Sequence, residues 1–158
     1  RRFFSSVYIQ TGKGEKSMHF VFGGAFTGKR KWVKQHYASE SVKWHYLYED
    51  PVLPVLEFEE SYIVLEGFEH YVKELIHSEL ESPHLVVKKL IQKWRDSGVW
   101  EKLIVIGTEV GKGIVPLDPT ERQWRDECGY AYQHLAAHAR KVDHIWYGIA
   151  NRLKEEIQ

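Results

Sequence analysis

A glycine loop, set between a short apolar run and a charged stretch free of glycine, constrains this chain more than any other feature. The loop is Gly23-Gly-Ala-Phe-Thr-Gly28-Lys29; it follows His19-Phe-Val-Phe22 and leads into Arg30. Glycine at both ends lets backbone N–H groups wrap a phosphate with no Cβ in the way, and the closing lysine meets the outer phosphates. Gly23, Gly24, Ala25, Phe26, Thr27, Gly28, Lys29 and Arg30 are therefore the expected nucleotide contacts, with Lys29 as the catalytic cation. Such a loop requires a strand before it and a helix after it. The residue after the lysine is ordinarily Ser or Thr, whose hydroxyl ligates Mg²⁺, and here it is Arg30.

The flanking pattern supplies both elements. Residues 29–39 lack Gly and Pro and are expected to form a helix whose N-terminus points at the phosphate. Residues 42–48 alternate, are rich in aromatic side chains and read as a strand closed by Glu49-Asp-Pro51. Residues 61–66 and 102–107 are nearly continuous apolar runs, as buried parallel strands are. Residues 68–80, 83–96 and 120–141 read as helices, and 143–148 as a last strand. This alternation implies an α/β, P-loop NTPase-like layered fold with a mostly parallel central sheet flanked by helices. At 158 residues the expectation is one nucleotide-binding domain over 18–158, with 1–17 as an N-terminal extension outside the core. Glu66 ends a strand on the edge where open α/β sheets bind ligands, and is expected to hold Mg²⁺ directly or through water.

Composition narrows the function classes. Lys plus Arg and Asp plus Glu stand at 22 each, so no global field draws the chain to nucleic acid or to an acidic membrane. Cys128 is the only cysteine and has no intramolecular disulfide partner. No long apolar segment suggests a membrane span or a secretory signal, so the expected compartment is the cytoplasm. His134 and His138 lie four apart, but Leu135 stands where a zinc protease has its glutamate, and structural or surface roles are expected for them.

A longer constellation lies downstream: Glu109-Val-Gly111-Lys-Gly113-Ile-Val-Pro116, Arg122, Arg125-Asp126, Gly129, Gln133, Leu135-Ala136 and Gly148-Ile149. In this spacing, without a gap from Glu109 to Ile149, it resembles the C-terminal half of the bacterial bifunctional adenosylcobinamide kinase and adenosylcobinamide-phosphate guanylyltransferase. The glycine loop and the strand ending in Glu66 are similar to that family as well. The resemblance implies a RecA-like fold that assembles into a homo-oligomer, often a trimer. It implies Mg²⁺-dependent phosphorylation of adenosylcobinamide by a nucleoside triphosphate, GTP or ATP. It further implies transfer of GMP from GTP, through a guanylylated histidine, onto the new phosphate in cobalamin synthesis.

Two departures from the family bear on those activities. Arg30 replaces the Mg²⁺-ligating Ser. Only 36 residues lie between Lys29 and Glu66, where the family has a second strand and a helical insert bearing the histidine. If residues 42–48 are the strand, the insert is the missing piece, and Glu49 in Glu49-Asp-Pro51 matches its end as a nucleotide contact. If residues 36–44 are instead the histidine segment, a central strand is missing and His36 is the guanylylation candidate, ahead of His45. Loss of a strand exposes apolar faces and hydrogen-bonding edges, which favours loss of the insert. Thr108 and Tyr132 stand where the family usually has Asn. The alternative expectation is a non-catalytic nucleotide- or corrinoid-binding relative with a regulatory or assembly role.

Overall fold

The apolar runs form strands buried on both faces, so alternate residues of one run belong to different cores. The protein is described by a computed structural model covering residues 18–57, 60–111 and 118–156. Its centre is β1 (His19–Gly23), flanked in parallel by β4 (Leu103–Thr108) and β5 (Lys141–Trp146). Beyond β4 lie β3 (Tyr62–Glu66) and then β2 (Val42–Tyr46), both parallel. Beyond β5 lies β6 (Ile149–Glu155), the one antiparallel neighbour, giving the order β2-β3-β4-β1-β5-β6. Four helices flank the sheet: α1 (Lys29–His36), α2 (Phe68–Ser78), α3 (Pro83–Ser97) and α4 (Pro119–His138). The expected layered α/β fold with a mostly parallel sheet is the fold observed.

The period of two sorts the side chains. Phe20, Ile63, Leu65, Leu103 and Val105 pack with Phe68, Val72, Ile91, Trp94 and Leu135, residues of the three later helices. Val21, Val64, Ile104, Ile106 and Ile145 point the other way and meet Val33 of α1 and Tyr37 just beyond it. Three helices thus cover one face, and the eight residues of α1 serve the other.

The structure shifts several boundaries. The last expected strand ends at Trp146, because Tyr147 and Gly148 both take positive φ, 52° and 73°, and turn the chain into β6. That is the two-residue turn whose twist matches a hairpin. The pattern of residues 149–155 hid β6, since most of its residues are exposed and only pairing with β5 makes it a strand. Residues 42–46 do form the second strand. It lies at the sheet edge, paired with β3 alone, so its loss would uncover one neighbour and not two, contrary to the expectation of a central strand. Residues 1–17 and 112–117 lie outside the described residues, so the N-terminal extension and the Lys112-Gly-Ile-Val-Pro116 part of the motif do too. Among the described residues no helix is long and apolar enough to cross a membrane.

Candidate functional site

Three strand ends converge on one edge of the sheet. Gly23 is in register with Thr108, and Glu66 with Ile106. Hydrogen bonds knit the ends together: the Glu109 amide donates to the Gly23 carbonyl at 2.9 Å, and the Gly67 amide to Ile106 at 3.0 Å. Above them opens a cleft of about 1180 Å³, lined by residues 25–31 together with Tyr48, Glu66, Glu69, His70, Thr108, Glu109 and Trp124 among others.

The glycine loop is built by its glycines. Gly28 takes φ 90° as the residue before α1, a conformation that side chains oppose. A Cβ on Gly23 would lie 2.5 Å from the carbonyl oxygen of Ile145, so β5 can pass only if that position is glycine. Within the loop, the Thr27 hydroxyl donates to the Gly24 carbonyl at 3.0 Å and Lys29 Nζ to the same oxygen at 2.6 Å. From outside, the Gly148 amide donates to the Thr27 carbonyl at 2.7 Å. The first turn of α1 has no acidic residue and no side-chain cap. Its N–H groups and the positive end of its dipole therefore suit an anion.

Burial lowers the Lys29 pKa, against the opposing pull of Glu69, Glu66 and Glu109. Arg30 follows at the rim and is engaged with Glu66. Its Nε donates to Glu66 Oε1 at 2.8 Å, its Nη2 donates to Oε2 at 2.9 Å, and Nη2 also reaches the Tyr48 hydroxyl. Trp44 Nε1 donates to the same Glu66 Oε1 at 2.8 Å. These bonds fill most of the lone-pair capacity of a carboxylate and place a fixed cation against it. Among the described residues no group of three or more His, Cys, Asp or Glu is placed to hold a metal ion. The residues at the Arg30–Glu66 position do not fit a Mg²⁺ ion ligated there.

The sequence profile described as cobinamide kinase / cobinamide phosphate guanyltransferase matches residues 27–153. The chain belongs to this family. Cobinamide kinase relatives are transferases of cobalamin biosynthesis that use nucleotide and corrinoid substrates. The match begins inside the glycine loop, at Thr27, and runs through Gly148 into β6. No curated protein sequence matches the chain. A solved structural-study target from Pyrococcus horikoshii OT3 is similar at 11% identity, with 96% of this chain and 92% of that one covered and a TM-score of 0.42.

Not every expected residue of this cobinamide kinase relative lies at the cleft. Glu49 is exposed in the turn after β2, its amide bonded to the Tyr46 carbonyl, and is not among the lining residues. His36 is the last residue of α1, at the far end of the helix from Lys29, stacked on Trp32 with ring centroids 4.7 Å apart. It neighbours His19 at the opposite end of β1, 5.7 Å between centroids. His45 lies within β2.

Other residues were missed and do line the cleft. Gly67, at φ 91°, turns the chain from β3 into α2, so that Glu69 and His70 fall in its first turn. Glu69 is 7% exposed and accepts the Thr108 amide at 3.0 Å. His70 stands between the rings of Tyr48 and Trp124, at 6.3 and 5.9 Å, with Nε2 3.7 Å from Glu69 Oε2. The signal was Glu66-Gly-Phe-Glu69-His70, a second carboxylate and a histidine one helical turn beyond the strand end.

Proposed function

We propose that this chain binds a nucleoside triphosphate in the cleft above residues 23–30 and transfers its terminal phosphoryl group to the alcohol of a cobinamide-type corrinoid. The observation that carries the reading is the coincidence of a glycine loop, an uncapped helix N-terminus and Lys29 at the floor of one large cleft in a chain of this family. Lys29 exchanges its Gly24 carbonyl for a phosphate oxygen, a stronger charge-assisted bond. The substrate oxygen attacks the terminal phosphorus, the bond to the bridging oxygen breaks, and the nucleoside diphosphate leaves. In a loose transition state the alcohol loses its proton late, so a nearby carboxylate suffices, and Glu69 and Glu109 line the cleft.

For the nucleotidyl step, the histidine that the cleft offers is His70. An imidazole nitrogen there attacks the α-phosphorus of GTP, the bond to the β-phosphate breaks with loss of pyrophosphate, and the corrinoid phosphate then takes the GMP. A homo-oligomer belongs to the same reading and is supported by the exposed Trp146, Tyr147, Ile149 and Leu153 around the β5–β6 hairpin.

A second reading has a specific observation in its favour. Glu66 is tied up by Arg30, which suits a relative that binds nucleotide without turnover. Chromatography of purified protein incubated with adenosylcobinamide and GTP or ATP separates the readings. The phosphate product supports the kinase, and the GDP-linked product adds the second activity. Neither product, with nucleotide binding intact by calorimetry, selects the non-catalytic relative.

A further inference from the structure

We infer that Arg30 is a built-in counter-cation for the triphosphate, so that the cleft holds its nucleotide without a divalent metal. The inference rests on the nucleotide-binding reading and goes beyond it in naming what neutralises the phosphates.

Position comes first. Arg30 directly follows Lys29 in the first turn of α1, where a phosphate loop otherwise carries the hydroxyl that fixes Mg²⁺ against the outer phosphates. A cation in that place stands where the hydroxyl that fixes Mg²⁺ otherwise would. Arg30 lines the cleft with its side chain 44% exposed, which leaves it accessible to a ligand.

Orientation comes second. The fork to both oxygens of Glu66 and the bond to the Tyr48 hydroxyl fix the plane of the guanidinium. Its central carbon lies 5.0 Å from the Tyr46 ring centroid and 5.7 Å from that of Tyr48, which favours a cation in this position. Among the described residues, the hydrogen bonds of this guanidinium use Nε and Nη2. A guanidinium carries five N–H donors, so the two on Nη1 remain for a phosphate while the fork to Glu66 stays closed. The carboxylate thus aims the arginine, and their hydrogen bond raises the guanidinium pKa further.

Exclusion comes third. A divalent ion at this place would meet a fixed positive charge and a carboxylate whose lone pairs are already engaged. Lys29, Lys31 and Lys34 line the same side of the cleft, so the anion finds further positive charge there without recruiting an ion from solution.

The test is a calorimetric titration of the whole chain with GTP, and separately with inorganic tripolyphosphate, in excess EDTA and in excess Mg²⁺. The expected result is GTP affinity in EDTA within about threefold of that in Mg²⁺. Arg30→Ser should weaken GTP in EDTA by at least about tenfold, as loss of one charge-assisted contact does, with Mg²⁺ recovering part of it. Arg30→Lys keeps the charge without the fork and should retain more EDTA-resistant affinity than Ser. A wild-type chain that needs Mg²⁺ to bind GTP overturns the inference and leaves the nucleotide-binding reading standing. Arg30→Ser bound as tightly as wild type in EDTA also overturns it, as do Ser and Lys variants that behave alike. No GTP or tripolyphosphate binding by wild type in either buffer overturns the functional reading and the inference with it.

Discussion

Gly28 and Gly148 are in contact: a Cβ on Gly28 would lie 3.2 Å from the Gly148 Cα, and the Gly148 amide holds the carbonyl of Thr27. The β5–β6 turn thereby clamps the glycine loop from outside. The two glycines differ in what a side chain would meet. Gly28→Ala adds strain at φ 90° and pushes against backbone, so it is expected to abolish GTP binding. Gly148→Ala meets open space and only the strain of φ 73°, so it should cost about 1 kcal/mol of stability and keep binding. Thermal melts with parallel GTP titrations of both variants check the contrast, and equal loss of binding in the two would refute it.

On the proposed nucleotide-binding reading, Lys29→Ala is expected to remove a charge-assisted phosphate contact worth about 1.5 to 3 kcal/mol, a loss of roughly tenfold or more in nucleotide affinity. Calorimetry with GTP reads it directly. Unchanged affinity would mean that the triphosphate does not sit on this loop.

His70 and His36 give opposite expectations. If GMP is carried on the protein, His70 lines the cleft and His36 does not. Incubation with radiolabelled GTP should label wild type and His36→Ala alike, and leave His70→Ala unlabelled. Label that survives in His70→Ala and vanishes in His36→Ala would reverse the assignment.

A buried network at the other end of β1 predicts acid sensitivity. Tyr37 donates to His19 Nδ1 at 2.7 Å, His19 Nε2–H to Asp143 Oδ2 at 2.5 Å, and Arg152 forks onto both Asp143 oxygens. Burial lowers His19 from 6.5 to about 4, against the pull of the Asp143 hydrogen bond, while Lys141 and His36 nearby lower it further. The unfolded chain therefore binds more protons between those values, and stability falls as the pH drops through that window, by up to about 3 kcal/mol. His36, also lowered by burial, acts in the same direction. Urea melts across the window should show the loss, and His19→Gln should flatten it. A slope unchanged in His19→Gln would place the titration elsewhere.

Much of the fold was legible because its signals are local. The runs at residues 61–66 and 102–107 are long enough only for buried strands, and the glycines of the loop announce backbone that side chains forbid. β6 was not legible, because residues 149–155 carry no alternation and become a strand only through the partner that the Tyr147-Gly148 turn delivers. Glu69 and His70 were overlooked for a related reason, since Gly67 rotates them to the cleft from an otherwise ordinary helix start.

The sequence by itself determined the alternation of strands and helices, the glycine loop with Lys29, and the family. Only the tertiary structure decided which charges meet. It put Arg30 against Glu66 across 36 positions of chain, carried His36 to the far end of α1, and brought His70 to the cleft. Periodicity and glycine act within a few residues of themselves, whereas the partner of a cation depends on which strand ends the sheet order places side by side.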